Sequence, residues 1–516
     1  MALYNRKRAR RSLLDTILFR VVSQVATVTT YVVMVRGMTR EDFGVFNVLY
    51  SLIPLVSTTA SLGIEQVLRR YQPEYLRAGQ LGAAHWLVQT AAKLRLGTSV
   101  LLLGVVSLTW HLLAPIFHLE HYRLEFWLFC PLIMLHFQAR ILQLALTSQL
   151  LQRQAIGMVV LQSLIKLVAY AVLVTFGSLS LIAVIVVDTV SYVAMYGGLR
   201  LAYERNCRPR APQEEFRLEP DERKRLIRYG LLNNFNDAGS MVISSKSDNF
   251  FIAAFIDPVA VASYSFYIRL NEMIVNALPV RLFSSVIQPF FFAVSKEDAP
   301  EKLPRYYTFL VNINLLVHLP VFVYALIYHR EIVTLIAGQK YVDSSWLLPL
   351  VTGFGALNVI GEPSSLVAQH AERPTVMLLS KIFAIYNIAA IVLLLPVAGI
   401  YGAAIASGSA ALFKNLFIWW HVRSVARWLN LPQVVAMVAL IWGGAALTCL
   451  GLKVLVGGPV LLQLFLGAGV MIVAELVYLR SPGVAGSDRG LMAALFHGRE
   501  AVWLGRLGLI RRGAQA

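Results

Sequence analysis

The chain has 516 residues, of which 57% are hydrophobic and only 14% charged, against roughly 25% charged in ordinary globular domains. That balance excludes a soluble multidomain protein: roughly 20 apolar residues span a bilayer as a helix, and about fourteen such runs occur here. The formal net charge of +18 at pH 7 lies between those runs and at both ends, so membrane topology explains it more plainly than nucleic-acid binding does.

In chain order, a basic segment, 1–12, with Arg6, Lys7, Arg8, Arg10 and Arg11, precedes a first span too long for a signal-peptide core. Expected spans are 13–35, 45–68, 88–114, 125–150, 155–177 and 179–201, then 226–256, 259–289, 305–329, 345–370, 376–396, 400–422, 432–455 and 460–480. Alternate connections are basic, including Arg69, Arg70 and Arg77, Arg153, Lys296 and Lys302, Arg373, and Arg423 with Arg427. Opposite connections are short, such as Asp257-Pro258 and 396–400. This asymmetry predicts a polytopic membrane protein with both termini in the cytoplasm. Cys130, Cys207 and Cys449 are far apart and suggest neither a zinc site nor a disulfide framework.

The polar connection 202–225 divides the first twelve spans six and six. The expected architecture is therefore all-α: an N-lobe over 13–201, a cytoplasmic linker over 202–225 and a C-lobe over 226–422, pseudo-symmetric around a central cavity. Two further helices over 432–480 read as lipid-facing, and 481–516 is a second basic cytoplasmic tail. Within it, 487–512 suits either an amphipathic helix on the inner leaflet or a disordered basic tail. Laying 31–52 over 249–270 aligns the two outer turns, although only Leu52 and Leu270 are identical.

Residues 246–270 thread Lys246, Asp248, Asp257 and Arg269 through apolar sequence. A charge at the centre of a membrane helix costs about 2.5–3.5 kcal/mol on insertion scales, so such groups face a bundle interior or watery cavity. Helical spacing collects the polar residues into stripes. These are Arg20-Gln24-Thr27-Tyr31, Asn47-Ser51-Pro54-Thr58-Ser61-Glu65, His136-Arg140-Gln143-Thr147, Gln162-Lys166-Tyr170, Asn233-Asp237-Ser240-Ser244-Asp248, Ser265-Arg269-Glu272-Asn276 and Asn358-Glu362-Ser365-Gln369. Taken singly, a Ser or Asn is better explained as glue between helices; the charged members as a set point to a cavity. Lys93 and Arg95 lie near a span end and are expected at the interface, while Lys381, Lys414 and Glu475 lack a stripe.

No nucleotide-binding P-loop, HExxH, GxSxG or metal-ligand cluster occurs, and the outer connections are too short to build an active site, so no catalytic residues are expected. Four segments carry a resemblance: MVRGMTREDFGVFNVLYSLIPLVSTTASLGIEQVLRRYQPEY, SDNFFIAAFIDPVAVASYSFYIRL, IVTLIAGQKYVDSSWLLPLV and AGIYGAAIASGSA. In this order they resemble Wzx-type polysaccharide flippases of the multidrug/oligosaccharidyl-lipid/polysaccharide exporter superfamily, over roughly 12–422.

The resemblance implies two six-helix lobes and alternating access. Its implied cargo is a polyprenyl-diphosphate-linked oligosaccharide, moved from inner to outer leaflet, with membrane lipids, a polymerase and export machinery as partners. Arg20, Arg140, Lys166 and Arg269 would then hold the anionic headgroup, Arg being suited to bidentate phosphate pairing. Gln24, Glu65, Asp237, Asp248, Glu272 and Glu362 would line the cavity, balance charge or bind a coupling proton or Na⁺; no cofactor is expected. Wzx-type members commonly have twelve spans, whereas fourteen resembles lipid II flippases. Asp257-Pro258 and Ala262 also stand where glycine is usual. The alternatives are a lipid II flippase, a cation-coupled multidrug exporter of the same superfamily and a membrane polymerase or ligase.

Overall fold

The computed structural model describes residues 6–177, 179–207, 219–242, 244–277, 294, 297–429, 431–456 and 458–481. The tail 487–512, residues 208–218 of the linker, and Arg281 lie outside them. Among the described residues the chain is helical without strands. The helices are α1 (Arg6–Gly37), α2 (Arg40–Ala60), α3 (Ile64–Arg77), α4 (Leu81–Leu108), α5 (Trp110–Ile116), α6 (Arg123–Ser148), α7 (Gln152–Thr175), α8 (Leu181–Asn206) and α9 (Pro220–Val242). They continue with α10 (Ser245–Phe255), α11 (Pro258–Ala277), α12 (Ala299–Ala337), α13 (Leu347–Leu357), α14 (Gly361–His370), α15 (Pro374–Leu379), α16 (Ile382–Val422), α17 (Leu431–Val456) and α18 (Val460–Arg480). Among the described residues ten stretches are long and apolar enough to cross a bilayer, with a shorter one at Val21–Gly37. Separating the two arms of α16 and adding α1, α9–α10 and α11 agrees with the fourteen expected spans.

Two compact units emerge, Met1–Ser265 and Phe266–Ala516. Residues 226–265, expected in the C-lobe, pack within the first of these. Its core joins α3, α4, α6 and α8 through Leu68, Leu87, Ala139, Leu146 and Leu199. In the second unit, one core joins α12, α14 and the end of α16, and another joins α12 to α17 and α18.

The internal repeat has a structural counterpart. Thr39 Oγ1 accepts a hydrogen bond from Asp42 N–H at 3.0 Å and caps α2. Asp257 Oδ1 accepts from Ala260 N–H at 2.6 Å at the start of α11. Both satisfy a backbone donor that a helix start leaves unpaired, at aligned positions of the repeat. The two turns also touch: a methyl group on Gly44 would overlap the Pro258 carbonyl, so only glycine permits this approach.

The chain reverses inside α16. Gly399 (φ 54, ψ −139) breaks the helix where the short connection 396–400 was expected, a conformation open to glycine at no steric cost. Across the turn Ser407 donates to Asn387 Oδ1 at 3.1 Å and Tyr386 pairs with Ser409 at 3.1 Å, so the two arms run antiparallel.

Among the expected spans that carry polar stripes, three are broken, and their stripes with them. The second divides at Ser61–Gly63, where Leu62 and Gly63 have positive φ, so Glu65 begins α3 instead of closing the α2 stripe. The seventh divides before Ser245, and the tenth between Leu357 and Gly361. Arg95 also departs from expectation. It is 1% exposed, because its guanidinium donates to Ser57 O at 3.0 Å and Ser57 Oγ at 3.1 Å and lies 4.0 Å over the Phe137 ring. Ser57 and Ala60 belong to the last turn of α2, whose carbonyls lack helical partners. Arg95 and Thr98, which donates to Ala60 O at 2.7 Å, supply them.

Candidate functional site

Two cation–carboxylate pairs join helices of the first unit. On α7, Lys166 Nζ lies 2.8 Å from the carboxylate of Asp188 on α8. Tyr170, one turn on from Lys166, donates to Asp188 Oδ1 at 2.5 Å. Asp188 is 1% exposed. A carboxylate buried this deeply persists only when paired and hydrogen-bonded, which Lys166 and Tyr170 together achieve. Sequence reasoning missed Asp188: it stands alone in its helix, and its partner is on the helix before. One turn further along α8, Tyr192 pairs with His136 of α6 at 2.9 Å.

Arg140 of α6 is held differently. Its Nε approaches Glu65 Oε2 at 3.5 Å, and Nη1 donates to Gln143 Oε1 at 3.2 Å. The side chain is 39% exposed, and among the described residues no partner engages Nη2. Glu65 is shared with Arg69 at 3.9 Å. Beside it, Gln66 donates to Asp237 of α9. Glu65 and Gln66 thus set Arg140 and Asp237 on neighbouring residues of one α3 turn. At the other end of α3, Tyr75 Oη donates to Glu222 Oε1 at 2.6 Å. Burial, and then the hydrogen bond to Glu222, raise the Tyr75 phenol above its ordinary range.

The groups flanking the Asp257-Pro258 turn are more deeply buried. Asp248 is 0% exposed and accepts from Tyr264 Oη at 2.5 Å. Asn249 donates to Ser51 Oγ at 2.9 Å and accepts from Ser265 Oγ at 3.0 Å, joining α2, α10 and α11. These groups serve as packing glue.

In the second unit Arg269 Nη1 pairs with Glu272 Oε2 at 3.0 Å, three residues along α11. Glu362 is exposed near the start of α14. Asn358 accepts from Asn415 Nδ2 at 2.7 Å. Gln24 is partly buried on α1, and Arg20 lies on the same helix with its side chain outside the described residues. The structure therefore brings together Arg140 with Glu65, Lys166 with Asp188, and Arg269 with Glu272. Among the described residues no group of three His, Cys, Asp or Glu could hold a metal ion.

Long apolar helices carrying paired charges, with a repeated capped turn, define a polytopic membrane protein. A model of the family "Polysaccharide biosynthesis protein" matches residues 33–346, and the chain belongs to that family. Among curated proteins none matches this sequence. Among solved structures it is similar to the lipid II flippase MurJ in an inward closed conformation, with a TM-score of 0.66 and 12% identity over 90% of this chain and 99% of that one. It is also similar to an inward-facing multidrug resistance MATE transporter of the MOP superfamily, with a TM-score of 0.65 and 14% identity over 80% and 98%. A MATE protein in complex with MaD3S matches with a TM-score of 0.52 and 16% identity over 81% and 96%. At these identities the likeness establishes the fold alone.

Proposed function

We propose that this protein flips a polyprenyl-diphosphate-linked oligosaccharide from the inner to the outer leaflet of the cytoplasmic membrane, for surface polysaccharide synthesis. Movement would be by alternating access between an N-lobe and a C-lobe. The observation that carries this reading is Arg140: a cation within a membrane span, partly exposed, loosely countered by Glu65 and with an unengaged nitrogen. An incoming diphosphate would replace the 3.5 Å Glu65 contact with shorter, charge-assisted bonds. Membership of the polysaccharide biosynthesis family supports the sugar cargo. Lys166 is less available, since Asp188 already neutralises it; Arg269 can exchange Glu272 in the same manner as Arg140.

The test is surface polysaccharide measured at matched protein level. Arg140→Glu should abolish it. The swap Arg140→Glu with Glu65→Arg restores an ion pair but moves the cation off α6, so it should recover protein level and not polysaccharide. Full recovery by the swap would show that Arg140 serves only as half of a structural pair. Arg20→Glu and Arg269→Glu extend the test; unchanged polysaccharide at normal protein level removes those residues from the site. A second reading, a lipid II flippase, is favoured by the larger share of the chain that MurJ covers and by the fourteen spans. Cell-wall precursor accumulation on depletion, with surface polysaccharide intact, would select it.

A further inference from the structure

The last two helices do more than add lipid-facing surface. Helix α12 departs from helical geometry at Tyr328 (φ −111, ψ 19). The nearest preceding proline, Pro320, lies eight residues earlier, so its ring is not at the bend. Sharp bends arise at proline, at small residues, at π-bulges or where a side chain enters the helical ladder. Here that side chain is Lys453 of α17. Its Nζ donates to the Ile327 carbonyl at 2.8 Å and pairs with Glu331 Oε1 at 2.8 Å, one contact on each side of the bend. Around it, Tyr328 donates to the Cys449 carbonyl at 3.4 Å and Tyr324 to the Leu464 carbonyl at 2.9 Å. Gly467 leaves the space that the Tyr328 ring fills.

Beyond the bend, α12 leads to Tyr341. Its carbonyl accepts from Tyr267 Oη, and its ring stacks on Phe266 with centroids 4.7 Å apart. Phe266 and Tyr267 belong to α11, two or three residues before Arg269. A continuous path of packed groups therefore runs from α17, through the bend of α12, to the helix that carries Arg269.

We infer that Lys453 is a positioning residue: it holds the bend of α12 and, through Tyr341, sets the placement of α11. Its importance to transport rests on the reading of Arg269 above; its hold on the bend does not. Without an ammonium at 453, the Ile327 carbonyl and the Glu331 carboxylate lose their partner, and α12 straightens toward regular geometry.

The test is a spin-label distance between Arg305 and Leu335, exposed positions on the two arms of α12, in the full chain in lipid nanodiscs. Lys453→Met should give a longer, broader distribution than the unsubstituted protein. Lys453→Arg, which keeps a charged donor, should restore it. Should Lys453→Met fail to accumulate, Glu331→Gln keeps the lysine on the carbonyl but removes the ion pair, and should give an intermediate shift. An unchanged distribution in these variants, or a shift that arginine does not restore, overturns the inference. Surface polysaccharide is read alongside: an unchanged distance with lost polysaccharide in Arg269→Glu leaves both readings standing. A distance change that leaves polysaccharide untouched sinks the functional link while keeping the clasp.

Discussion

Lys166 and Asp188 meet at 2.8 Å across two neighbouring membrane helices, with Tyr170 closing the second carboxylate contact. Breaking a buried pair by removing one partner is costly, about 3–5 kcal/mol, because the remaining charge is stranded. Lys166→Met should therefore destabilise strongly, and the double variant Lys166→Met with Asp188→Leu should regain most of the loss. Thermal unfolding in detergent checks this; a double variant as unstable as the single would show that the pair is not what holds these helices.

A second expectation concerns the turn at Asp257-Pro258. Gly44→Val places a branched side chain against the Pro258 carbonyl, which belongs to a capped helix start and cannot easily retreat. Overpacking of this kind costs about 1–3 kcal/mol or more. The melting temperature should fall, and Gly44→Ala should fall less.

Arg95 is expected to be structural. Its two hydrogen bonds to Ser57 and its place over Phe137 fix the end of α2. Hydrogen bonds to a charged group contribute about 1.5–3 kcal/mol each before the cost of an orphaned carbonyl is added. Arg95→Met should lower protein level markedly, and Lys should restore only part, lacking the planar fork. Normal accumulation of the methionine variant would refute this role.

Alkaline pH should weaken the α3–α9 contact. Burial, and then the bond to Glu222, hold the Tyr75 phenol above its unfolded value. The folded state keeps the proton that the unfolded chain releases, so stability is fully present below about pH 10, the ordinary tyrosine range, and declines above it. Tyr75→Phe should remove that part of the decline, as read from denaturation midpoints between neutral and alkaline pH.

Periodicity and charge asymmetry were enough to locate the spans, the turn at Asp257-Pro258 and the reversal near Gly399, because each is written in local residue types. Pairings between helices were less legible. Asp188 gives no signal within its own helix, since its partner lies a full span earlier. Glu65 was placed on the α2 stripe because helical spacing assumes an unbroken helix, and Ser61-Leu62-Gly63 carries no proline to announce the break. Arg95 read as interfacial from its position near a span end. What buries it is the unpaired last turn of α2, a tertiary need that composition does not display. Lys453 was hidden for a similar reason: its partners, the Ile327 carbonyl and Glu331, lie on a helix far earlier in the chain.

The reversal at Gly399 bears on how the chain enters the bilayer. Its arms are already joined by Ser407 to Asn387 and Tyr386 to Ser409, and only a few residues separate them. With so little polar backbone to carry over, residues 382–422 can be threaded through hydrocarbon as one preassembled hairpin during biogenesis, each arm shielding the hydroxyl and amide groups of the other.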